Sequence, residues 1–382
     1  MLQNLPLELT EAVLDYLEDC DLRRTLRTAR FLRYPSERRL YYTVSLLIGP
    51  KGGQGGRQAR FLNTVFNNHR LAQYVIVLVM GGCSPADEGD PRVNAIIGQA
   101  MKKMVNLKDL SIAGGPYILN AQLDSVPFSL TRLLFSGGIF SDKDFPSFLP
   151  ILRAHPKLEE LAFESSTLPS DLIAALKTEG EVPGSEILCP HLKRFDGYDD
   201  GLRLFLARRR IERGTTMGSG DELIKYEDLA AVWLTPTLTS SYRHLRVLEV
   251  WITYRPTRNA CLLPTIAPYL TSLTHLLLVD NFSCMHPGDP VISSLGKMRA
   301  LESFTLSDME VTFSAAVLDP QATSIVGLVR VVCPDIAEIF VGGYSEPPVF
   351  HHYTKGRGLH SSAVSEEVAC RPYTKWVREP TI

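Results

Sequence analysis

The sequence lacks most of the patterns by which catalysis or metal binding is written into a chain. Seven cysteines, at 20, 83, 189, 261, 284, 333 and 370, are scattered through 382 residues with no CxxC among them. A disulfide framework or zinc knuckle is therefore not expected, and a reducing intracellular compartment is. Cys189 and Cys333 stand beside Pro190 and Pro334 and read as small buried hydrophobes. None of the nine histidines builds an HExxH, Cys284 and His286 form a lone close pair, and no GxSxG occurs. The glycine-rich run Gly49 to Gly56, GPKGGQGG, lacks the GxxxxGK(S/T) spacing of a phosphate loop, with lysine followed by a hydroxyl, and is expected to be a flexible connection. No catalytic residue, no cofactor and no metal is expected, and the chain is not expected to be an enzyme.

Charge of one sign is also missing. Forty Lys and Arg face 42 Asp and Glu, for a net charge of −2, which argues against nucleic acid as a partner. The run RRRIER, Arg208 to Arg213, reads as a solvated face. Long apolar runs are absent too. The densest, Val75 to Met80, is far below the roughly 20 residues that cross a membrane. The opening has no basic stretch followed by an apolar core, so no secretory signal is expected. A soluble protein of the cytoplasm, the nucleus or both is the expectation, with no membrane partner.

What is present is a row that keeps returning: leucine, two variable residues, an apolar residue, one variable residue, another apolar residue. Leu107, Leu110 and Ile112 write it; so do Leu130, Leu133, Phe135 and Leu158, Leu161, Phe163. It recurs from Val75, Leu245, Leu273, Leu301 and Ile336, with a weaker copy at Leu192 and Phe195. In a strand the last two apolar positions share one face and the residue between them takes the other. One such strand cannot bury its apolar face alone, but a parallel stack of them can, with return segments between. Stretches 144–154 and 169–177 have helical spacing and serve as such returns. The pattern resembles leucine-rich repeats, which implies an α/β fold: an irregular solenoid of parallel strands and return helices. Only Asn281 stands where that family keeps its ladder asparagine, so regular curvature is not expected.

The first 45 residues are written differently. Pro6, with Asn4 as cap, opens an amphipathic helix through Leu9, Val13, Leu14 and Leu17. Asp21 is expected to cap a second helix from Leu22 to Arg33, and Ser36 a third through Leu40 and Tyr41. Leu5 and Pro6, then Leu9, Val13, Leu14 and Leu17, then Asp21 and Leu22, then Leu40 and Tyr41 leading to Val44, resemble the F-box motif. One departure is visible: the third segment carries Phe31 where tryptophan is usual, or lacks the aromatic. The resemblance implies docking on the Skp-type adaptor of a cullin-RING ubiquitin ligase, an SCF-type assembly, through Leu5, Pro6, Leu9, Val13, Leu14, Leu17 and Leu22. The plainer alternative is that these helices only cap the solenoid.

The expected division is residues 1–45 as an F-box-like helical domain, 46–343 as the repeats, and 344–382 as a C-terminal cap or partly disordered tail. The 53 residues between the rows at Leu192 and Leu245 (245 minus 192) read as an insertion or a degenerate repeat near 199–235. Outward positions of the early rows are acidic, and those of the later rows include Trp251, Leu277, Val279 and Phe340. These four are the candidate contacts for an unknown protein substrate, unless the tail folds over them. The implied function is a non-catalytic receptor that presents a substrate for ubiquitination. The alternative is a repeat scaffold with no ligase.

Overall fold

A computed structural model describes residues 6–28, 30–47, 55–81, 91–113, 126–136, 148–163, 168–181, 187–217, 226–251, 258–280, 288–308, 320–343 and 349–364. Asn4, Leu5, Asn281 and the segments 344–348 and 365–382 lie outside the described residues. Two compact units are formed, Met1–Ala175 with Glu186–His191, and Leu176–Ser185 with Leu192–Ile382.

The first unit opens with α1 (Leu7–Leu14), α2 (Asp19–Thr28) and α3 (Arg33–Tyr42), leading into β1 (Thr43–Leu47). Then come α4 (Gly55–Asn67), α5 (His69–Ala72), β2 (Val77–Gly81), α6 (Pro91–Met101), β3 (Asp109–Ala113), β4 (Arg132–Ser136), α7 (Phe148–Ala154), β5 (Glu160–Phe163) and the start of α8 (Ser170–Glu181). Strands β1 to β5 pair in parallel in chain order.

Pro6 is the N-cap of α1, and its carbonyl accepts from both the backbone N–H and the hydroxyl of Thr10. Two expected boundaries are corrected. Asp21 lies inside the first turn of α2, which starts at Asp19, and its carboxylate pairs with Arg24 at 3.0 Å rather than capping. The third helix begins at Arg33, ahead of Pro35 and Ser36, because a proline without N–H is harmless in a first helical turn. Helix α3 is fastened to α5 through Glu37, which is buried and accepts from Arg33 at 3.1 Å and from Arg70. The Arg70 guanidinium also lies 4.6 Å from the ring centre of Tyr34. Burial alone would raise the Glu37 pKa, but the hydrogen bonds from Arg70 and Arg33 outweigh it and hold the carboxyl below its ordinary value.

The second unit runs through β6 (Arg194–Tyr198), α9 (Asp199–Leu206), β7 (Arg213–Met217), α10 (Tyr226–Trp233), α11 (Pro236–Ser241) and β8 (Val247–Trp251). It continues with α12 (Arg258–Ile266), β9 (His275–Val279), α13 (Pro290–Leu295), β10 (Ser303–Asp308), α14 (Pro320–Val332) and β11 (Glu338–Gly343). It ends in β12 (Val349–Thr354) and β13 (Gly358–Val364). Strands β6 to β11 are parallel, whereas β12 and β13 form an antiparallel hairpin on β11.

In both units the strands are locked by the same rung. Within each unit, the carbonyl just after a row start accepts two consecutive N–H groups from the next parallel row. Ile76 O takes Lys108 N and Asp109 N at 2.9 and 3.1 Å, and Lys108 O takes Thr131 N and Arg132 N at 2.8 and 3.1 Å. In the second unit Lys193 O takes Glu212 N and Arg213 N, and Glu212 O takes Arg246 N and Val247 N, each pair at 2.8 and 3.1 Å. A second recurring bond closes the return segment. The row-start N–H of Leu107, Leu158, Leu245, Leu273, Leu301 and Ile336 donates to the carbonyl three residues earlier. That earlier position is buried, and in the last of these rows it is Cys333, whose thiol is pushed up to about 11 by burial. Cys189 holds the same slot before Leu192 and is also buried.

The rows face the helices. Phe135 and Phe163 stack at 5.5 Å, with Phe148 of α7 edge-on to both, and Phe195 stacks on Phe205 of α9 at 4.9 Å. Strand, buried leucine row and return helix, repeated, make each unit an irregular leucine-rich-repeat solenoid of the α/β class. Of the two readings of the 199–235 segment, insertion or degenerate repeat, the strand pairing favours the second: β7 pairs with β6 and β8, and its row is Ile211, Gly214, Thr216. A Cβ at Gly214 would sit 2.8 Å from Leu202 Cδ1, so that side chain would have to shift to admit one.

One polar tie is fully buried in the second unit. Arg209 Nη2 donates to both carboxylate oxygens of Glu179, at 2.7 and 2.8 Å, and its guanidinium lies 5.0 Å from the Phe205 ring centre. Removing one partner strands the other charge, so Glu179→Ala is expected to cost about 3–5 kcal/mol in urea unfolding. The double variant Glu179→Met, Arg209→Met should recover most of that loss.

Candidate functional site

Two surfaces bear on function. The first is α1. Pro6, Leu9 and Val13 are exposed, whereas Leu14 and Leu22 are buried and Leu17 is half-buried. Leu14 and Leu22 therefore belong to the packing of the helical start rather than to an open docking face. Leu9 at 53% and Val13 at 55% exposure are joined by Tyr16 at 91%, one turn on. At spacings of four and three residues these side chains share one face. Tyr16, which lies just past the end of α1, was not among the candidates read from sequence.

The second surface is the strand face turned away from the helices in the second unit. Its alternate positions align across strands: Arg194, Arg213, Val247 and His275 in one line; Asp196, Thr215, Glu249 and Leu277 in the next; Tyr198, Met217, Trp251 and Val279 in the third. At the later strands the expected substrate surface is not open. Leu277, Val279 and Phe340 are buried in a cluster with Phe350, against which Val247 and Trp251 pack. The reason is β12: Phe350 lies opposite Gly342, where no side chain obstructs the ring, and His352 stacks on Phe340 at 4.2 Å. Three of the four predicted contacts are thus a second apolar core, and only Trp251 stays half-buried.

Beside that core, over β6 to β8, lies a polar cleft lined by Arg194, Asp196, Arg213, Thr215, Val247 and Glu249. Arg194 Nε donates to Asp196 Oδ2 at 3.0 Å in a buried ion pair. The Thr215 hydroxyl donates to Asp196 Oδ1 at 2.7 Å and lies 3.4 Å from Glu249 Oε2. Since a hydroxyl has one proton, the shorter contact to Asp196 takes it, and Glu249 Oε2 faces an oxygen lone pair. Trp251 Nε1 donates to Glu249 Oε1 at 2.6 Å. Burial, with the nearby Asp196 charge adding to it, pushes the Glu249 carboxyl up to about 7, against the opposing pull of Trp251, Arg194 and Thr215. Among the described residues no group of three or more His, Cys, Asp and Glu is placed to hold a metal ion. Nor is any described helix long and apolar enough to cross a membrane.

No protein-family model matches the chain, and no curated protein matches it. Among solved structures, the leucine-rich repeat-containing protein LegL7 from Legionella pneumophila is similar at 16% identity and a TM-score of 0.46, over 76% of this chain and 98% of that one. A Bacteroides fragilis protein is similar at 8% identity and a TM-score of 0.35, over 74% and 72%. The fold assignment stands on the strand register and buried rows described above.

The raised Glu249 pKa has a defined sign. Its folded value exceeds the usual carboxylate value, so the stability it contributes is present at low pH and is lost as pH rises through about 7. Glu249→Gln removes that loss. Thermal unfolding of the variant and the natural chain should agree near about pH 4, and the variant should be the more stable by about pH 8.

Proposed function

We propose that the chain is the substrate-receiving subunit of a ubiquitin ligase, with α1 docking on a Skp-type adaptor of a cullin-RING assembly and the repeats holding a protein substrate. The observation that carries this reading is the Leu9, Val13, Tyr16 stripe. A helix that served only to cap the solenoid would spend its apolar face on the first repeat. Here Leu14 and Leu22 face inward while a second apolar face is left to solvent. Large exposed apolar side chains grouped on one helix face have the composition of a docking surface. The mechanism is proximity: adaptor and substrate held by one chain raise the substrate's effective concentration at the ligase, and no catalytic side chain is needed.

Because Leu9 and Val13 are exposed, their replacement separates binding from folding. The double variant Leu9→Asp, Val13→Asp should keep the circular dichroism and melting temperature of the natural chain, since exposed substitutions fall within about 0.5 kcal/mol. Its co-purification with the Skp-type adaptor should fall by about tenfold or more. Leu14→Ala should instead lower the melting temperature, as the loss of a packed leucine costs about 2–5 kcal/mol. An intact, folded chain that captures no adaptor would leave a repeat scaffold without a ligase.

A further inference from the structure

The cleft over β6 to β8 has an imbalance of partners. Asp196 is satisfied by Arg194 and Thr215, and Glu249 by the Trp251 indole. Arg213 stands beside Arg194 in the same cross-strand line and is half-buried. Among the described residues its guanidinium has neither a hydrogen bond nor an ion pair. A guanidinium carries five donors in a rigid fork and is costly to withdraw from water unless an acceptor meets it. The charge count points the same way: Asp196 neutralises Arg194, and Glu249 is largely protonated below about pH 7, which leaves the charge of Arg213 uncompensated.

Size and composition narrow the occupant. The enclosed space of the cleft is about 10 Å³, far below the roughly 300–1,000 Å³ of a small-molecule site. It therefore suits one functional group of a larger partner. A doubly charged phosphate would meet both Asp196 and Glu249. A singly charged carboxylate meets less repulsion and can share a proton with the Glu249 carboxyl, as paired carboxylates do. Next to the cleft, half-buried Trp251 offers an aromatic platform for the backbone that carries the group.

We propose that this cleft receives the side-chain carboxylate of an acidic residue in an extended segment of a protein partner, paired with the fork of Arg213 and flanked by Thr215 and Glu249. The inference deepens the reading of the repeats as the substrate-holding part and rests on it. The charged and titratable groups around Glu249 are Asp196 and Arg194 on β6, Arg213 on β7 and His275 on β9. Burial lowers the His275 pKa, and Arg213 acts the same way against Glu302 and Glu338. Ionisation of Glu249 at about pH 7 repels the incoming carboxylate, and the Glu249→Gln variant separates that effect from any change at the ring.

The test uses the full chain and a fluorescein-labelled peptide of alternating glycine and glutamate, with a glutamine and a phosphoserine counterpart, read by fluorescence anisotropy at low salt. The glutamate peptide should bind saturably, about tenfold or more tighter than the glutamine peptide, and weaken from about pH 6 to pH 8. Arg213→Gln should weaken it by about tenfold or more, while Glu249→Gln should bind with no such pH dependence. No binding by the natural chain, equal binding of the glutamine peptide, or an unchanged affinity in Arg213→Gln would overturn the proposal. Tighter binding of the phosphoserine peptide that Arg213→Gln abolishes would overturn the carboxylate assignment. Adaptor capture is read separately. Its loss with peptide binding intact counts against the ligase reading alone, and the converse against the cleft alone.

Discussion

A carbonyl that accepts two successive N–H groups from the next row is the contact on which the rest of this architecture depends. It sets where each strand begins relative to the last, and strand side chains alternate with period two, so a slip of one residue would exchange the buried leucines for the outward residues. The rung is backbone chemistry and does not require leucine. That is why β7 can stand in the stack with Gly214 and Thr216 in leucine slots: Glu212 and Arg213 donate to Lys193 O as their counterparts do elsewhere. Helix lengths and loop lengths can then vary without disturbing the sheet.

Once register is fixed, the two faces of the sheet have different fates along the second unit. The rows on the helix side are apolar apart from Thr216 of β7. The other side begins with an ion pair and hydrogen-bonded acids on β6 to β8 and changes to Leu277, Val279 and Phe340 on later strands. Apolar side chains in such a line gain by being covered, at roughly 25 cal/mol per Å², and Phe350 from the terminal hairpin contributes to the cover. Polar residues in the same lines gain nothing from cover unless their hydrogen bonds are met. Composition alone does not set the cover, since Ser303, Thr305 and Ser307 of β10 stand in the same lines and are buried too.

Much of this was legible in the sequence. The rows located β2 to β6 and β8 to β11 because leucine, phenylalanine and isoleucine repeat at the strand's own period, and the prolines before Leu158, Leu192 and Ile336 marked where helices yield to strands. The β7 repeat was hidden because its small and hydroxylic residues carry no apolar signal, although Ile211 kept the row start. The outward lines were legible as to face, and cover by the tail was one of the two readings they left open. Nothing within a row reports that a hairpin from residues 349–364 will reverse direction and place Phe350 over Gly342. The adaptor candidates mixed both sides of one helix, because Leu9, Val13 and Leu14 are alike in hydropathy and only packing tells them apart.

The reversal at β12 also limits how this array can change in length. Duplicating a repeat within the parallel stack supplies the same donors and acceptors on each side, so the stack can grow from within. Beyond β11 the next partner must run antiparallel, and a parallel unit appended there would meet a ladder of the wrong spacing. The hairpin therefore acts as a directional stop. Lineages that lengthened or shortened this solenoid would be expected to differ in the number of interior repeats while keeping the same last one.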